Sequence, residues 1–561
     1  MSNKIIYILL ILISASFPGF TQTINEHISN KTIYGFLDEL ANDKIIILNS
    51  TIKPYAQTYI LLKLKEAEKQ EEALTLRQQN DLNFYLGIYG FNDDIKYNPY
   101  SETAKVNIFN KQSSSVTSIN PLGFFYKDSL FTFSLKPIWG INYQTNEAGS
   151  VRHTWGGAEA YGTIGKHWGV YANLRDNYIT EILAFPSYFT QSEGGNYKLN
   201  EGGRKGGDYS EMRGGVFYSW KWGSVSVAKD HLVWGDNYNG ANIFSGITPS
   251  FAMIKLNMHP ARWLDFNYFH GWLVSEVIDS SRSYTTGNGD FRAVYRDKYI
   301  AANMFTFSPW EGLNFSIGNS IIYSDINIQP AYFIPFLFFK SVDHTINHNI
   351  DNQNSQMFAN ISCRLIKYFH FYSSLFIDEF SITRIGVDTL HNFTSWKVGG
   401  KLSNWPFKNI SLTAEYTKTN PLVYKHRVPS LTFETNKFNL GHYLRDNSEE
   451  IFLSVQYKPF SRFNLEFSYL KATHGNEYQY ISESRADNPV LDEITWDNER
   501  FSLKSRYEFI FEGYLFLEYT HSNIQGYNID GISSQYYLDL FTPKFYQGKK
   551  NTFTFGFNIG F

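Results

Sequence analysis

Hydrophobic and polar positions alternate along most of this 561-residue chain, and nowhere more regularly than at its end. Residues 550–561 read KNTFTFGFNIGF: Phe553, Phe555, Phe557, Ile559 and Phe561 hold every odd position, and Thr554, Gly556, Asn558 and Gly560 lie between them. A period of two over that length predicts a strand with one face in an apolar medium and the other against something polar. The same texture runs from about residue 91 to the end. Its clearest unit is a hairpin over residues 451–469, in which Ile451, Leu453, Val455 and Tyr457 alternate with Phe452, Ser454 and Gln456. A short turn through Lys458-Pro459-Phe460-Ser461-Arg462 follows, and then Phe463, Leu465, Phe467 and Tyr469 alternate again.

Short turns of this kind recur near residues 166–168, 221–223, 259–262, 309–312, 366–368, 406–409, 458–462 and 512–513. Their spacing, roughly 40 to 60 residues, accommodates two strands of about ten residues and one long loop. It is too irregular for a propeller, whose blades repeat with a recurring signature. Eight such turns join sixteen strands; a first strand over residues 131–141 and the terminal one bring the total to about eighteen. An even number puts both chain ends on one side, so the long Gly-rich polar connections at residues 191–210, 342–356 and 420–447 are expected to point outward from the other. So large an amphipathic sheet has no open edge in lipid. The predicted fold class is all-β membrane, a closed antiparallel transmembrane β-barrel of about 18 strands.

Before the barrel the period changes. Ile33, Phe36, Leu37 and Leu40 recur at helical spacing, with Asp38, Glu39 and Asp43 facing away. A second helix is expected to open at Lys53-Pro54 and to bury Ile60, Leu61, Leu64 and Ala67. A third, charged segment from Glu71 through Arg77 carries Leu82, Tyr85 and Leu86 on one side. These make a small N-terminal α-helical bundle. Its polar faces mix Glu with Lys, which argues against a helix lying on a membrane surface.

Further upstream, Lys4 precedes an apolar run over residues 5–13 and then small and polar residues to Thr21 and Gln22, the pattern of a signal peptide cleaved near that point. The run falls short of the about 20 residues that an anchoring helix needs. With no Cys near the cleavage point, lipid attachment there is excluded. The longest later apolar run, residues 331–339, is interrupted by Pro335. The predicted organisation is therefore a signal peptide over residues 1–22, a helical region over 23–90 and a barrel over 91–561.

Composition agrees with a barrel. Mean hydropathy is −0.32, a soluble-looking value that transmembrane barrels share because only alternate residues meet lipid. Aromatic residues reach 18%, which suits the two interfacial girdles of a barrel. A net charge of −3 with scattered basic residues gives nucleic acid no footprint. Cys363 is the sole cysteine, so neither a disulfide within the chain nor a cysteine metal cluster is available.

Candidate chemistry is sparse. GGRKGG at residues 202–207 lacks the Gly-Lys-Ser/Thr ending of a phosphate loop and reads as a surface loop. Asp343, His344 and His348 are metal-compatible types, but they sit in a polar loop. Asp378-Glu379 is either a lumenal carboxylate or a charge pair at the mouth. No Gly-x-Ser-x-Gly elbow is present, and no catalytic residue, cofactor or metal is assigned. The most unusual segment is AKDHLVWGDNYNGANIFSGITPS, residues 228–250. Its Asn and Asp suit hydroxyl groups and its Trp and Tyr suit sugar rings, while its glycines equally fit a tightly turned barrel loop.

Several stretches resemble the capsule-assembly Wzi family, in a version typical of the Bacteroidetes. They are KDHLVWGDNYNGANIFSG with PSFAMIKLNMHP, then WLDFNYFHGWL, IIYSDINIQPAYFIPFLFFKSVDH and LFIDEF, and upstream IYGFLDELANDKIIILNSTIKPY. The terminal aromatic strand likewise looks like the insertion signal read by the barrel-assembly machinery. The resemblance implies an outer-membrane barrel of eighteen strands with a periplasmic helical bundle, and a non-enzymatic, lectin-like role holding capsular or other exported polysaccharide at the cell surface. The resemblance assigns no ligand residue; composition alone points to Trp234, Asp236, Asn237 and Tyr238 as the residues expected to contact polysaccharide, with Asp230 and Asp378 in the lumen. The expected partners are polysaccharide and outer-membrane lipid, the protein is expected to be a monomer, and its helices and C-terminus are expected to be periplasmic. The alternatives are a diffusion channel for oligosaccharides or other solutes and a barrel hydrolase with a Ser/His/acid constellation.

Overall fold

Alternation becomes wall wherever a strand finds a partner on both sides, and here every long strand does. The structure, a computed structural model, describes residues 24–90, 114–119, 121–199, 205–346, 352–387, 389–480 and 485–560. Three helices come first: α1 (Lys31–Asn42), α2 (Gln57–Glu68) and α3 (Leu76–Tyr89). The first third of the wall is β1 (Phe131–Asn146), β2 (Gly149–Ile164), β3 (Trp168–Ile179), β4 (Gly207–Trp220), β5 (Gly223–Asp230) and β6 (Phe251–Ala261). It continues with β7 (Leu264–Ile278), β8 (Tyr295–Trp310), β9 (Leu313–Ser324), β10 (Gln353–Cys363), β11 (Phe369–Glu379) and β12 (Phe393–Ser403). The last third is β13 (Ile410–Thr419), β14 (Ser448–Tyr457), β15 (Phe463–Gly475), β16 (Ile494–Ile510), β17 (Gly513–Gly526) and β18 (Gly548–Ile559).

Each strand pairs antiparallel with the next, and β18 closes on β1 from Phe553↔Thr145 to Ile559↔Trp139, giving a closed barrel of eighteen strands. All eight predicted short turns lie between consecutive strands at one rim. At the seam Gly556 has no alternative, since a Cβ there would stand 1.9 Å from the Ile141 carbonyl oxygen. Below the seam a short hairpin, Ser114–Ile119 with Leu122–Lys127, extends the edge of β1 from Phe124↔Leu135 to Lys127↔Thr132.

The outer face is the apolar belt of a transmembrane barrel. Phe553 and Phe555 of β18 are half exposed, as are Ile451, Leu453 and Val455 of β14. Asn558, on the other face of β18, accepts a hydrogen bond from Trp155 Nε1 at 3.0 Å. Trp168, Trp222, Trp263, Trp310 and Trp405 are exposed at or beside the short turns, where a ring with a polar tip suits the boundary between hydrocarbon and water.

Inside, the barrel is filled. Along β6–β11 the wall turns Phe251, Met253, Phe269, Ile300, Met304, Ile322, Phe358 and Phe376 into the lumen. Leu422, Val423, Tyr424, Leu431, Phe433 and Leu440, from the connection after β13, pack on them. Phe189, from the connection after β3, stacks on Phe541 at 4.2 Å. For the connections after β3 and after β13 the expectation that they point outward is therefore corrected. Their Gly and polar residues allow sharp turns, and the apolar residues between them supply a core that pulls the loops back in.

The helices carry the predicted stripes, with Ile33, Leu37, Leu40, Ile60 and Leu64 fully buried. α2 opens at Gln57 rather than at Pro54, and α3 follows a capping box of Thr75 with Gln78. Asp38, Glu39 and Asp43 face away from the helical core but do not reach solvent. They meet the short-turn rim, so the bundle stops that mouth of the barrel. The predicted signal peptide and Phe561 lie outside the described residues.

Candidate functional site: the filled lumen and the rim above it

The connection from β5 to β6 enters the lumen because three glycines let it turn: Gly235, Gly240 and Gly246 have φ of 97°, 79° and 72°. Trp234 pairs with Ile52 and Phe244, so the N-terminal segment and this loop form a small sheet inside the barrel. Its indole lies edge-on to Phe244, Phe269 and Phe358 at 5.2, 5.3 and 5.8 Å and is 3% exposed. Asp236 accepts hydrogen bonds from Ser50 Oγ and, at 2.8 Å, from Asn360 Nδ2. Tyr238 donates to Asp38, with Lys401 Nζ 4.2 Å above its ring. Asn237 donates to the Gly235 carbonyl within the loop.

These four predicted residues are thus brought together, in the barrel interior and on internal partners. The other two lie apart from them. Asp230, at the end of β5, accepts from Arg213 at 3.3 Å, and Asp378, near the end of β11, accepts from the Tyr424 amide at 2.9 Å.

Sequence reasoning missed the residue on which loop, wall and helices converge. Arg364, in the β10–β11 turn, donates to Asp38 at 2.5 Å, Asn42 at 2.9 Å, Ser50 at 3.0 Å and His370 Nδ1 at 3.0 Å. Burial alone would raise the Asp38 carboxyl, but Arg364, with Lys401 and the hydrogen bond from Tyr238, holds it well below the usual carboxylate range. The cluster also aligns Ser362 Oγ with His370 Nε2 at 2.9 Å, beside Asp38. This is not a hydrolytic triad. Because Arg364 donates to Nδ1, Nε2 carries the proton and donates to Ser362, so the ring is in the wrong tautomer to accept the serine proton. Ser362 and His370 are also sealed from solvent.

A second junction holds α1 to the rim. Glu39 accepts from Lys458 at 2.8 Å and from Arg77, which also donates to Asp81 at 2.9 Å. Asp43 accepts from Gln78 and Asn404, both at 2.7 Å. Burial, and then the charge of Glu39, push the Asp43 carboxyl up to about 6. A raised acid pKa stabilises the docked state most below the unfolded value, and the benefit is lost as pH rises through about 6. Asp38 and Glu39, held low, act oppositely: their contribution is present above the unfolded carboxylate range and fades as pH falls. Asp43→Asn, neutral at all pH, is therefore expected to stabilise docked α1 by up to about 2–3 kcal/mol above pH ~6 and to remove the loss of stability that Asp43 causes as pH rises from about 4 to about 6. Hydrogen exchange across residues 31–42 from pH 5 to 8 checks this; an unchanged slope counts against it.

On the β1–β5 side the lumen is charged rather than apolar. Lys136 contacts Glu512 at 2.7 Å and Glu159 at 3.7 Å, Arg175 contacts Glu193 at 2.9 Å, and Arg213 lies 3.3 Å from Asp230 and 3.8 Å from Glu159. Among the described residues two groups have metal-compatible spacing, His27 with Asp230 and His231, and Glu193 with Glu211 and His231. Their carboxylates already face Arg175, Arg213 and Lys229, and the two imidazoles meet each other at 3.1 Å, so ion pairing and a shared proton account for the cluster. Asp343 and His344 lie on a short helix, α4 (Phe339–Ile346), while His348 is outside the described residues. Of the GGRKGG stretch, Lys205, Gly206 and Gly207 are described, the last opening β4.

At the long-loop rim a different chemistry is presented. The β7–β8 connection rises as a hairpin, Tyr284–Thr285 against Phe291–Arg292. Tyr284 and Phe291 are 56% and 63% exposed, Tyr295 47%, and Arg282 lies between Asp279 and Asp297. Aromatic faces beside hydrogen-bonding and charged groups are available here.

No family model matches the chain, and no curated protein sequence does. Among solved structures it is similar to Wzi, an outer membrane protein involved in group 1 capsule assembly in Escherichia coli and described as a carbohydrate-binding β-barrel. The identity is 11% and the TM-score 0.54, over 96% of this chain and all of that one. Pseudomonas aeruginosa OprD (10% identity, TM-score 0.39, 76% of this chain and 94% of that one) also matches. Acinetobacter baumannii OccAB2 does so at 9% identity and TM-score 0.41, over 76% of this chain and 97% of that one.

Proposed function

We propose that this barrel sits in the outer membrane, its helices on the periplasmic side, and holds an exported polysaccharide at the cell surface without modifying it. The filled lumen carries the reading. An eighteen-stranded wall is wide enough for an aqueous pore, yet here the β5–β6, β3–β4 and β13–β14 connections and the N-terminal segment occupy its interior. What is left to meet a polymer is the long-loop rim. The shared fold with a carbohydrate-binding barrel supports the same reading.

Contact falls to the exposed rings of Tyr284, Phe291 and Tyr295, with the residues of the β5–β6 loop shaping the floor beneath. Each sugar binds weakly, and repeats along one polymer multiply the effect. Removing Tyr284 and Phe291 together, as alanines, is expected to weaken polysaccharide binding by about 1 kcal/mol per ring, roughly fivefold each, with barrel stability unchanged. Glycan-array and surface-retention assays check this. Unaltered retention of surface polysaccharide in cells lacking the gene would sink the role itself. A persistent open current through the wild-type protein in planar bilayers would instead favour a solute channel.

A further inference from the structure

One connection folds neither inward nor upward. After β9 the chain runs down the outside of the wall through a single turn, Pro330–Phe333, and returns in α4. The sidedness follows from register. Ile300, Ala302 and Met304 of β8 enter the lumenal core with Trp234, so Ala301, Asn303 and Phe305 face the other way. Cross-strand partners continue that outer row: Phe266, Tyr268 and His270 on β7, and Ile317, Asn319, Ile321 and Tyr323 on β9. Elsewhere the outer row is half exposed, but here Asn303, His270, Ile321 and Tyr323 are completely buried, because residues 330–339 lie over them.

The seat is specific. Asn303 Nδ2 donates to the carbonyls of Pro335 and Leu337 at 2.8 and 2.9 Å. Asn319 donates to Asn303 at 2.7 Å and accepts from the Phe339 amide at 2.9 Å. Tyr268 donates to the Tyr332 carbonyl at 2.8 Å, His270 stacks on Phe333 at 4.3 Å, and Phe266 packs on Phe336 at 4.7 Å. Four residues below Asn303, Phe307 stacks with the girdle residue Trp263. For a tilted strand that places Asn303 about 10 Å above the girdle, inside the roughly 25 Å apolar band. Two outward asparagines at that depth would be costly in hydrocarbon, and irregular backbone is tolerated there only when its polar groups are met. Each answers the other's need.

We propose that residues 330–339 are embedded in the bilayer as an outer lining of the wall, clasped by Asn303 and Asn319, with Ile334, Phe336 and Phe338 against lipid acyl chains. These three side chains are exposed and continue the belt formed by Phe315 and Ile317, which is what assigns lipid as the occupant. The inference is independent of the polysaccharide reading. It is tested on the full chain in palmitoyl-oleoyl-phosphatidylcholine vesicles, with Cys363→Ser removing the sole native thiol. A nitroxide is attached at Phe336→Cys or Phe338→Cys, with Phe555→Cys as the belt control. Collisions with oxygen and loss of collisions with a water-soluble nickel complex, both to the level of the control, are the expected result. A label that meets nickel lies in water and overturns the proposal. One shielded from both reagents lies under protein, from this chain or a partner, and overturns it equally. Asn303→Ala is expected to expose the Phe336 label to nickel; no change would refute the clasp. Should that variant fail to insert, the unmodified clasp with labelled flap still decides the question of lipid contact.

Discussion

Alanine at Trp234 is expected to lower the unfolding free energy of the barrel by about 3–5 kcal/mol, the cost of emptying a core site of an aromatic ring. The indole is the centre of a lumenal aromatic cluster with Phe244, Phe269 and Phe358, and its backbone is paired on one side to Ile52 and on the other to Phe244. Truncation therefore loosens the loop and the N-terminal segment together. Trp234→Phe, which keeps most of the apolar contact, should cost substantially less. Denaturant titration of the micelle-inserted barrel measures both. If Trp234→Ala left stability untouched and abolished polysaccharide binding, the ring would be a ligand platform and the core assignment would be wrong.

Arg364→Ala should be of similar size, about 3–5 kcal/mol, because removing one member of a buried ionic cluster leaves the others uncompensated. Asp38, Asn42, Ser50 and His370 all lose a donor at once, and they belong to the helix, the N-terminal segment and the wall. The consequence is local before it is global: the plug leaves the mouth while the apolar belt holds the barrel in lipid. Protease cleavage within α1 and the appearance of current across a planar bilayer should accompany the stability loss. A variant as protease-resistant and as silent as the wild type would show that the bundle is held by its apolar contacts alone.

The wall was legible from the sequence because lipid imposes a strict rule. Outward residues are mostly apolar, so period two survives from β1 to β18 and the turn spacing gives the strand number. The helical stripe of Ile33, Phe36, Leu37 and Leu40 was legible for the same reason, one face against a core. What lay inside the barrel was not. Asp38 and Glu39 look like solvent-facing residues on a helical wheel, and only a docked partner carrying Arg364, Lys401 and Lys458 makes them buried. A weak signal did exist: Lys397, Lys401 and Glu415 occupy lumen-facing positions of β12 and β13, where charges demand partners from elsewhere in the chain. The composition of residues 228–250 did not separate a sugar site from an internal polar junction, since Asn, Asp, Trp and Tyr suit both equally. The flap after β9 was visible only as an apolar run broken by Pro335, with nothing to say on which side of the wall it would lie.

The seam between β18 and β1 has a bearing on chronology. The ring is completed where β18 meets β1, yet parts of the N-terminal segment lie inside it, where His27 meets His231 and Ile52 pairs with Trp234. Sealing the ring around an early segment resembles building a ship inside a bottle: the occupant goes in while the side is open, and afterwards leaves only through a mouth that its own helices obstruct. The order of assembly, as well as the strength of contacts such as those of Arg364, then bears on whether the stopper is seated.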